Sequence, residues 1–285
     1  MGNPGAAGRF RPGRAVGDTA SFIGRNLLLT LAIATFFFAL PSVLIGLLSF
    51  AYRERAIYLV GGGEVEPLSV AVYVGFSLFT GLLGALPGFL GHAVLSSAVL
   101  DHNNGRRPSI ANCVRAAFRR AVPVLGIGFT IYLVWFFAQQ AMIGAELLFP
   151  SFGGGVAFVL LVVPCIVWVL AALAAVPIAM REGLAAMASM ARSRALTRGY
   201  RWPILGLFLL VFVLALALRL GLFLGFGLAG PMVAPASMAI VGAAASASVT
   251  AIIWTVASIA ATATYIDLRR AKEGGSVDEL VDVFS

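Results

Sequence analysis

Residues 181–206 read REGLAAMASMARSRALTRGYRWPILG, and the reading of the whole chain works outward from them. Arg181, Arg192, Arg194, Arg198 and Arg201 are a quarter of the 20 basic residues, and Glu182 is the only acid among them. Leu184, Met187, Ala188, Ala191 and Ala195 recur at helical spacing, which predicts a narrow apolar stripe. Arg181, Arg192 and Arg194 flank that stripe, as side chains snorkelling towards headgroups do. Arg198 falls on the apolar side, so the helix is expected to end or bend at Gly199. Pro203 then suits the first turn of a new helix, where its missing N–H costs no hydrogen bond. The stretch therefore predicts a basic amphipathic helix on the cytoplasmic face of a membrane, turning into a membrane-crossing helix.

The composition agrees. Of 285 residues, 60% are hydrophobic and 11% charged, with a mean hydropathy of +0.98. Soluble domains carry about 25% charged residues, and so little polar surface cannot cover so much apolar mass. The sequence predicts an all-α polytopic membrane protein. Six apolar segments, at about 26–50, 69–99, 121–147, 155–180, 203–228 and 237–266, are long enough to cross about 30 Å of hydrocarbon. Residues 1–22 read as a disordered basic leader, 23–272 as the transmembrane domain and 273–285 as a short acidic tail. The apolar run after Asn26 reads as a first span rather than a signal peptide. Gly81, Gly84, Pro87, Gly88 and Gly91 fall within the second segment, which predicts a kink there or first turns outside the bilayer.

Charge sets the orientation. Seventeen of the 20 basic residues precede span one or follow spans two, four and six. The other loops hold Arg53 and Arg55 with Glu54, Glu64, Glu66 and Glu146. By the positive-inside rule both termini are cytoplasmic. This distribution, in short loops beside apolar runs, also argues against nucleic acid as the partner of a chain with net charge +8.

A second linker, RRPSIANCVRAAFRRAVPVLG (106–126), places Ile110, Cys113, Val114, Ala117, Phe118 and Ala121 on one helical face, with Ser109 as N-cap. Both linkers lead into matching phrases, Pro123-Val124-Leu125-Gly126 and Pro203-Ile204-Leu205-Gly206. The exits match as well: Ala98-Val99-Leu100-Asp101 and Thr264-Tyr265-Ile266-Asp267. TASFIGRNLLLT (19–30) is a degenerate third entry. The sequence thus predicts repeated units, each an interfacial helix followed by a transmembrane hairpin.

ALTRGYRWPILG (195–206), followed by TYIDLRRAKEG (264–274), resembles the glycerophosphoryl diester phosphodiesterase membrane domain family, as does NGRRPSI with RAAFRR in the first linker. The resemblance implies a bacterial six-helix integral membrane protein. Some members are fused to a soluble phosphodiesterase domain; this chain shows no carboxylate- and histidine-rich hydrolase motif, so the resemblance implies no such activity here.

Candidate lipid-headgroup residues are Arg115, Arg119, Arg120, Arg192, Arg194, Arg198 and Arg201. Intramembrane polar candidates are His92, Glu146 and Arg219. His92 suits proton relay or substrate binding, or a hydrogen bond inside the bundle. Arg219 suits snorkelling at the outer interface or a link to Glu146. Gln139 and Gln140 suit hydrogen bonds between helices, and Asp101 and Asp267 local ion pairs. Gly84 with Gly88, and Gly221 with Gly225, have the spacing of close helix packing. No Ser/His/Asp set, metal-binding spacing or phosphate loop is present, so neither an enzyme nor a cofactor is expected. Three functions remain: a lipid-interacting membrane organiser with a possible protein partner or homo-oligomer, a small transporter, and a membrane anchor for a separate hydrolase.

Overall fold

A computed structural model describes residues 12–60, 67–149, 155, 156, 158–229 and 235–273, and every regular element among them is helical. In chain order they are α1 (Pro12–Arg25), α2 (Leu27–Ala34), a π-helical turn (Thr35–Ala39), α3 (Leu40–Val60), α4 (Pro67–Asn103), α5 (Ile110–Arg119) and α6 (Ala121–Leu148). A second π-helical turn (Phe158–Val162), α7 (Val163–Ala172), α8 (Ala175–Glu182), α9 (Ala186–Thr197), α10 (Arg201–Ala229) and α11 (Pro235–Glu273) follow. Among the described residues six helical stretches are long and apolar enough to cross a membrane: Leu27–Tyr52, Ala71–Asn103, Ala121–Ala145, Phe158–Glu182, Arg201–Phe226 and Ile240–Glu273. This is the make-up of a multi-pass membrane protein. Residues 1–11 and the tail from 274 lie outside the described residues.

The leader assignment needs correction over residues 12–22. They form most of α1, whose Ala15, Thr19 and Phe22 are buried. These positions fall one and two turns apart, so α1 has a core-facing stripe despite its glycines. Ala15 packs with Leu207, Ala260 and Ala263, and the Phe22 ring meets His102 edge-on with centroids 5.5 Å apart.

α4 runs as unbroken helix through Pro87. It lies parallel to α11: Ser96 Oγ and Thr262 Oγ1 are 2.9 Å apart, and further along both helices Arg270 Nη2 donates to Asn103 Oδ1 at 2.7 Å. Of the expected Gly84/Gly88 pair only Gly84 is closely approached, an added Cβ standing 2.9 Å from Ile45 Cδ1, and two other glycines of α4 are packed as tightly. At Gly91 an added Cβ would stand 2.6 Å from Phe37 Cβ, so only glycine admits the buried Phe37 and Phe38 of the first π-helical turn. At Gly81 the Tyr132 ring fills the space, and the Tyr132 hydroxyl donates to the Leu78 carbonyl at 3.0 Å. Gly88, Gly221 and Gly225 meet nothing within 4 Å. Phe38 stacks on Trp254 of α11, and Phe89 meets the same indole edge-on.

The fourth apolar segment is broken between α7 and α8, and Pro177 explains the break. Proline supplies no N–H for the carbonyl four residues back, Leu173, and its ring crowds that carbonyl. The helix restarts at Ala175, and Pro177 sits in its first turn. The two π-helical turns and this break had no counterpart in the sequence reading.

Candidate anion-binding site at the basic end

α1, α5, α8 and α9 meet the last turns of α4 and α11 at one end of the bundle, and most of the basic residues collect there. α9 is held in place by hydroxyls rather than by the predicted stripe. Met187, Ala188, Ala191 and Ala195 are exposed, while Ser189, Met190, Ser193, Leu196 and Thr197 face the core. Ser193 stitches the α7–α8 break. Its Oγ donates to the Ala171 carbonyl at 2.7 Å and accepts the Ala174 N–H at 3.1 Å. Two backbone groups at the break are thereby satisfied.

Around α9 runs a network of charges. The Arg192 guanidinium pairs with Glu182 Oε2 (Nε at 3.4 Å) and with Glu273 Oε1. Arg269 Nε lies 2.6 Å from Glu273 Oε2, and the Tyr265 hydroxyl donates to Glu182 Oε1 at 3.0 Å. Lys272 Nζ donates to the carbonyls of Ala195 and Arg198 at 2.7 and 2.9 Å and lies 5.8 Å from the centre of the Tyr200 ring. It thus neutralises carbonyls that the end of α9 leaves open.

α9 ends at Thr197, as the position of Arg198 predicts. Arg198 is extended (φ −62°, ψ 124°) and Gly199 takes φ +93°, a left-handed turn that favours glycine. Beyond it α10 begins at Arg201. This turn leaves an open hollow of about 480 Å³ lined by Arg194, Ala195, Arg198, Gly199 and Arg201. The three guanidinium side chains are exposed. Glu182 and Glu273, by contrast, are bound to Arg192, Arg269 and Tyr265, and no ion pair involves Arg194, Arg198 or Arg201 among the described residues.

The seven candidate arginines therefore divide. Arg194, Arg198 and Arg201 come together, while Arg192 is tied into the network. Arg120 Nη1 donates to the Gly183 carbonyl at 3.1 Å, and Gly183, with φ +72°, ends α8 in the left-handed conformation. Arg115 and Arg119 stand exposed on α5. On that helix Cys113 and Ala117 are buried, but Ile110 and Phe118 of the predicted face are exposed. Ser109 sits at the N-cap with extended backbone, and its side chain makes no capping bond.

His92 is buried, and its Nε2 has no hydrogen-bond partner among the described residues. Arg219 is exposed on α10; the Glu146 side chain lies outside the described residues, so their predicted link is not part of the picture. Gln140 Nε2 reaches Ser77 Oγ at 3.4 Å between helices, whereas Gln139 is exposed. Asp267 pairs with Arg270 at 3.7 Å. Both cysteines are free, and among the described residues no group of His, Cys, Asp and Glu is placed to hold a metal ion.

The sequence reading missed Lys272, Ser193 and Tyr265. Their roles depend on partners distant in the chain, and no local pattern marks them. No protein-family model, curated protein or solved structure matches the chain.

Proposed function

We propose that this protein sits in the bacterial cytoplasmic membrane with its basic end and both termini inside. There it holds anionic lipid headgroups and has a membrane-organising or accessory role without catalysis of its own. The observation that carries this reading is the division of the arginines. Glu182 and Glu273 are bound to Arg192, Arg269 and Tyr265, while among the described residues the exposed Arg194, Arg198 and Arg201 make no ion pair. Each basic residue near an anionic surface contributes about 1 kcal/mol to attraction. Anionic lipid supplies the missing counter-charge.

In this reading α1, α5 and α9 lie at the membrane surface, and each opens a unit of one outgoing and one returning span. The repeat is supported by the parallel packing of α4 on α11. Ser96 and Thr262 are 166 residues apart, and the same interval carries Ala98-Val99-Leu100-Asp101 onto Thr264-Tyr265-Ile266-Asp267. Matching segments packed side by side and in step are what two copies related by an axis along the membrane normal would present. The resemblance of residues 195–206 and 264–274 to the glycerophosphoryl diester phosphodiesterase membrane family fits a six-helix membrane protein and suggests a separate hydrolase as partner.

Purification in mild detergent followed by lipid-class analysis tests the proposal. Enrichment of anionic over zwitterionic phospholipid is expected, with loss of that enrichment when Arg115, Arg119, Arg194, Arg198 and Arg201 are changed to glutamine. Unchanged enrichment in that variant contradicts it.

A small transporter is the second reading, favoured by the polar groups inside the bundle. His92 lies one helical turn before Ser96 on α4, and Ser258 one turn before Thr262 on α11. His92, Ser258 and Thr255 are buried with side-chain atoms that make no hydrogen bond among the described residues. Buried polar groups of this kind are costly and mark functional positions in membranes. Substrate uptake that is lost in His92→Ala would promote this reading over the first.

A further inference from the structure

We propose that the hollow bounded by Arg194, Arg198 and Arg201 is a defined site for one phosphate-bearing lipid headgroup, rather than part of a diffuse basic surface. This inference rests on the lipid-binding reading above and narrows it to one place and one chemistry.

The first argument is charge. The turn from α9 into α10 brings three arginines to the lining of one open hollow. Like charges gathered this way repel, and they persist together at least cost when an anion sits among them. Among the described residues Glu182 and Glu273 do not serve, because they are bound to Arg192, Arg269 and Tyr265. Arginine rather than lysine lines the hollow, and the guanidinium fork matches two phosphate oxygens at once.

The second argument is rigidity. Lys272 of α11 holds the carbonyls of Ala195 and Arg198, two of the residues that line the hollow. Ser193 anchors the preceding turn to the α7–α8 break. The backbone that carries the arginines is thus fixed from two sides before any ligand arrives, which lowers the ordering cost of binding.

The third argument places the phosphate on a lipid. Trp202 follows Arg201 directly and is 82% exposed, as an indole at headgroup level is. From Trp202 the exposed side chains of Leu209, Val213, Leu216, Leu220 and Leu224 follow at helical spacing along one stripe of α10. An acyl chain lying on that stripe brings its headgroup to the hollow. Arg115 and Arg119 stand on α5, outside this arrangement.

Native mass spectrometry of the full chain in detergent, titrated with phosphatidylglycerol or phosphatidylcholine, tests the site. One tightly held phosphatidylglycerol per chain is expected. Its affinity should fall about 100-fold in R194Q/R198Q/R201Q, from about fivefold, or about 1 kcal/mol, per arginine lost at the surface. The R115Q/R119Q variant should keep that first lipid. Arg198→Lys, which retains the charge and preserves the fold if the triple variant does not, should weaken binding by several-fold. Inorganic phosphate at millimolar concentration should neither bind alone nor displace the lipid. Displacement by phosphate would transfer the site to a soluble anion and overturn the lipid assignment. Anionic-lipid preference that survives the triple change would overturn the hollow while leaving the broader reading intact. No preference in the wild-type chain would remove both.

Discussion

Ser96 of α4 and Thr262 of α11 share a buried hydrogen bond of 2.9 Å between two long parallel helices. Thr262 Oγ1 also donates to the Ser258 carbonyl at 2.9 Å, so Ser96 is the natural donor to Thr262. This pair sets the register of the two parallel helices. In a double-mutant cycle with Ser96→Ala and Thr262→Val, a coupling of about 0.6 kcal/mol is expected, the average for hydrogen bonds between membrane helices. Additive effects in denaturant unfolding would show that the pair is incidental.

Ser193→Ala should be more damaging than either of those changes. It strands the Ala174 N–H and the Ala171 carbonyl beside the proline break, at about 1–3 kcal/mol for unsatisfied buried groups. Ser248→Ala is the matched control, since Ser248 is exposed and bonds only within its own helix. Equal thermal stability of the two variants would refute the role given to Ser193.

Gly91 and Gly88 are three residues apart on α4 and should respond oppositely to alanine. At Gly91 the new methyl meets Phe37 and Phe38, and overpacking of this kind costs about 1–3 kcal/mol. At Gly88 it meets nothing, and alanine's better helix propensity makes the change neutral or stabilising. Thermal unfolding of the two variants in one detergent reads the difference directly.

Arg192→Gln separates structural from ligand-facing arginines. Its ion pairs are partly exposed, so a modest destabilisation, about 0.2–1 kcal/mol, is expected, shrinking as salt is raised. Anionic lipid retention should stay near the wild-type level. A loss of retention as large as that of Arg198→Gln would mean that the two arginines do the same job.

Cys113 is fully buried, and burial pushes its thiol up from the ordinary range, with the charge of Asp101 acting in the same direction. Both effects keep the reactive thiolate scarce at neutral pH. In a Cys165→Ser background, maleimide should label the native protein slowly and the denatured protein rapidly. Fast native labelling would contradict the packing of α5 on α4.

The six long apolar helices were legible because their length and hydropathy leave few alternatives. α1 was obscured because glycine and arginine dominate its composition, although Ala15, Thr19 and Phe22 already had core spacing. α9 misled for a different reason. Its buried face carries Ser189, Ser193 and Thr197, and Ser193 satisfies backbone groups of the broken helix that this face meets. Hydrophobic spacing selected the opposite side. The break itself was signalled by Pro177, but it needed Ser193 from another element to become stable. The arginine cluster was visible as a cluster, yet its division into paired and outward-facing members was not. Arg192 and Glu273 are 81 residues apart in the chain, and Tyr265 and Glu182 are 83 apart. Such partners are fixed by the packing of the bundle.

The most direct test is an electron-microscopy map of the protein in nanodiscs containing phosphatidylglycerol. The account predicts headgroup density between Arg194, Arg198 and Arg201, with an acyl chain running past Trp202 along Leu209, Val213 and Leu216. An empty hollow, with bound density at His92 inside the bundle instead, would contradict it.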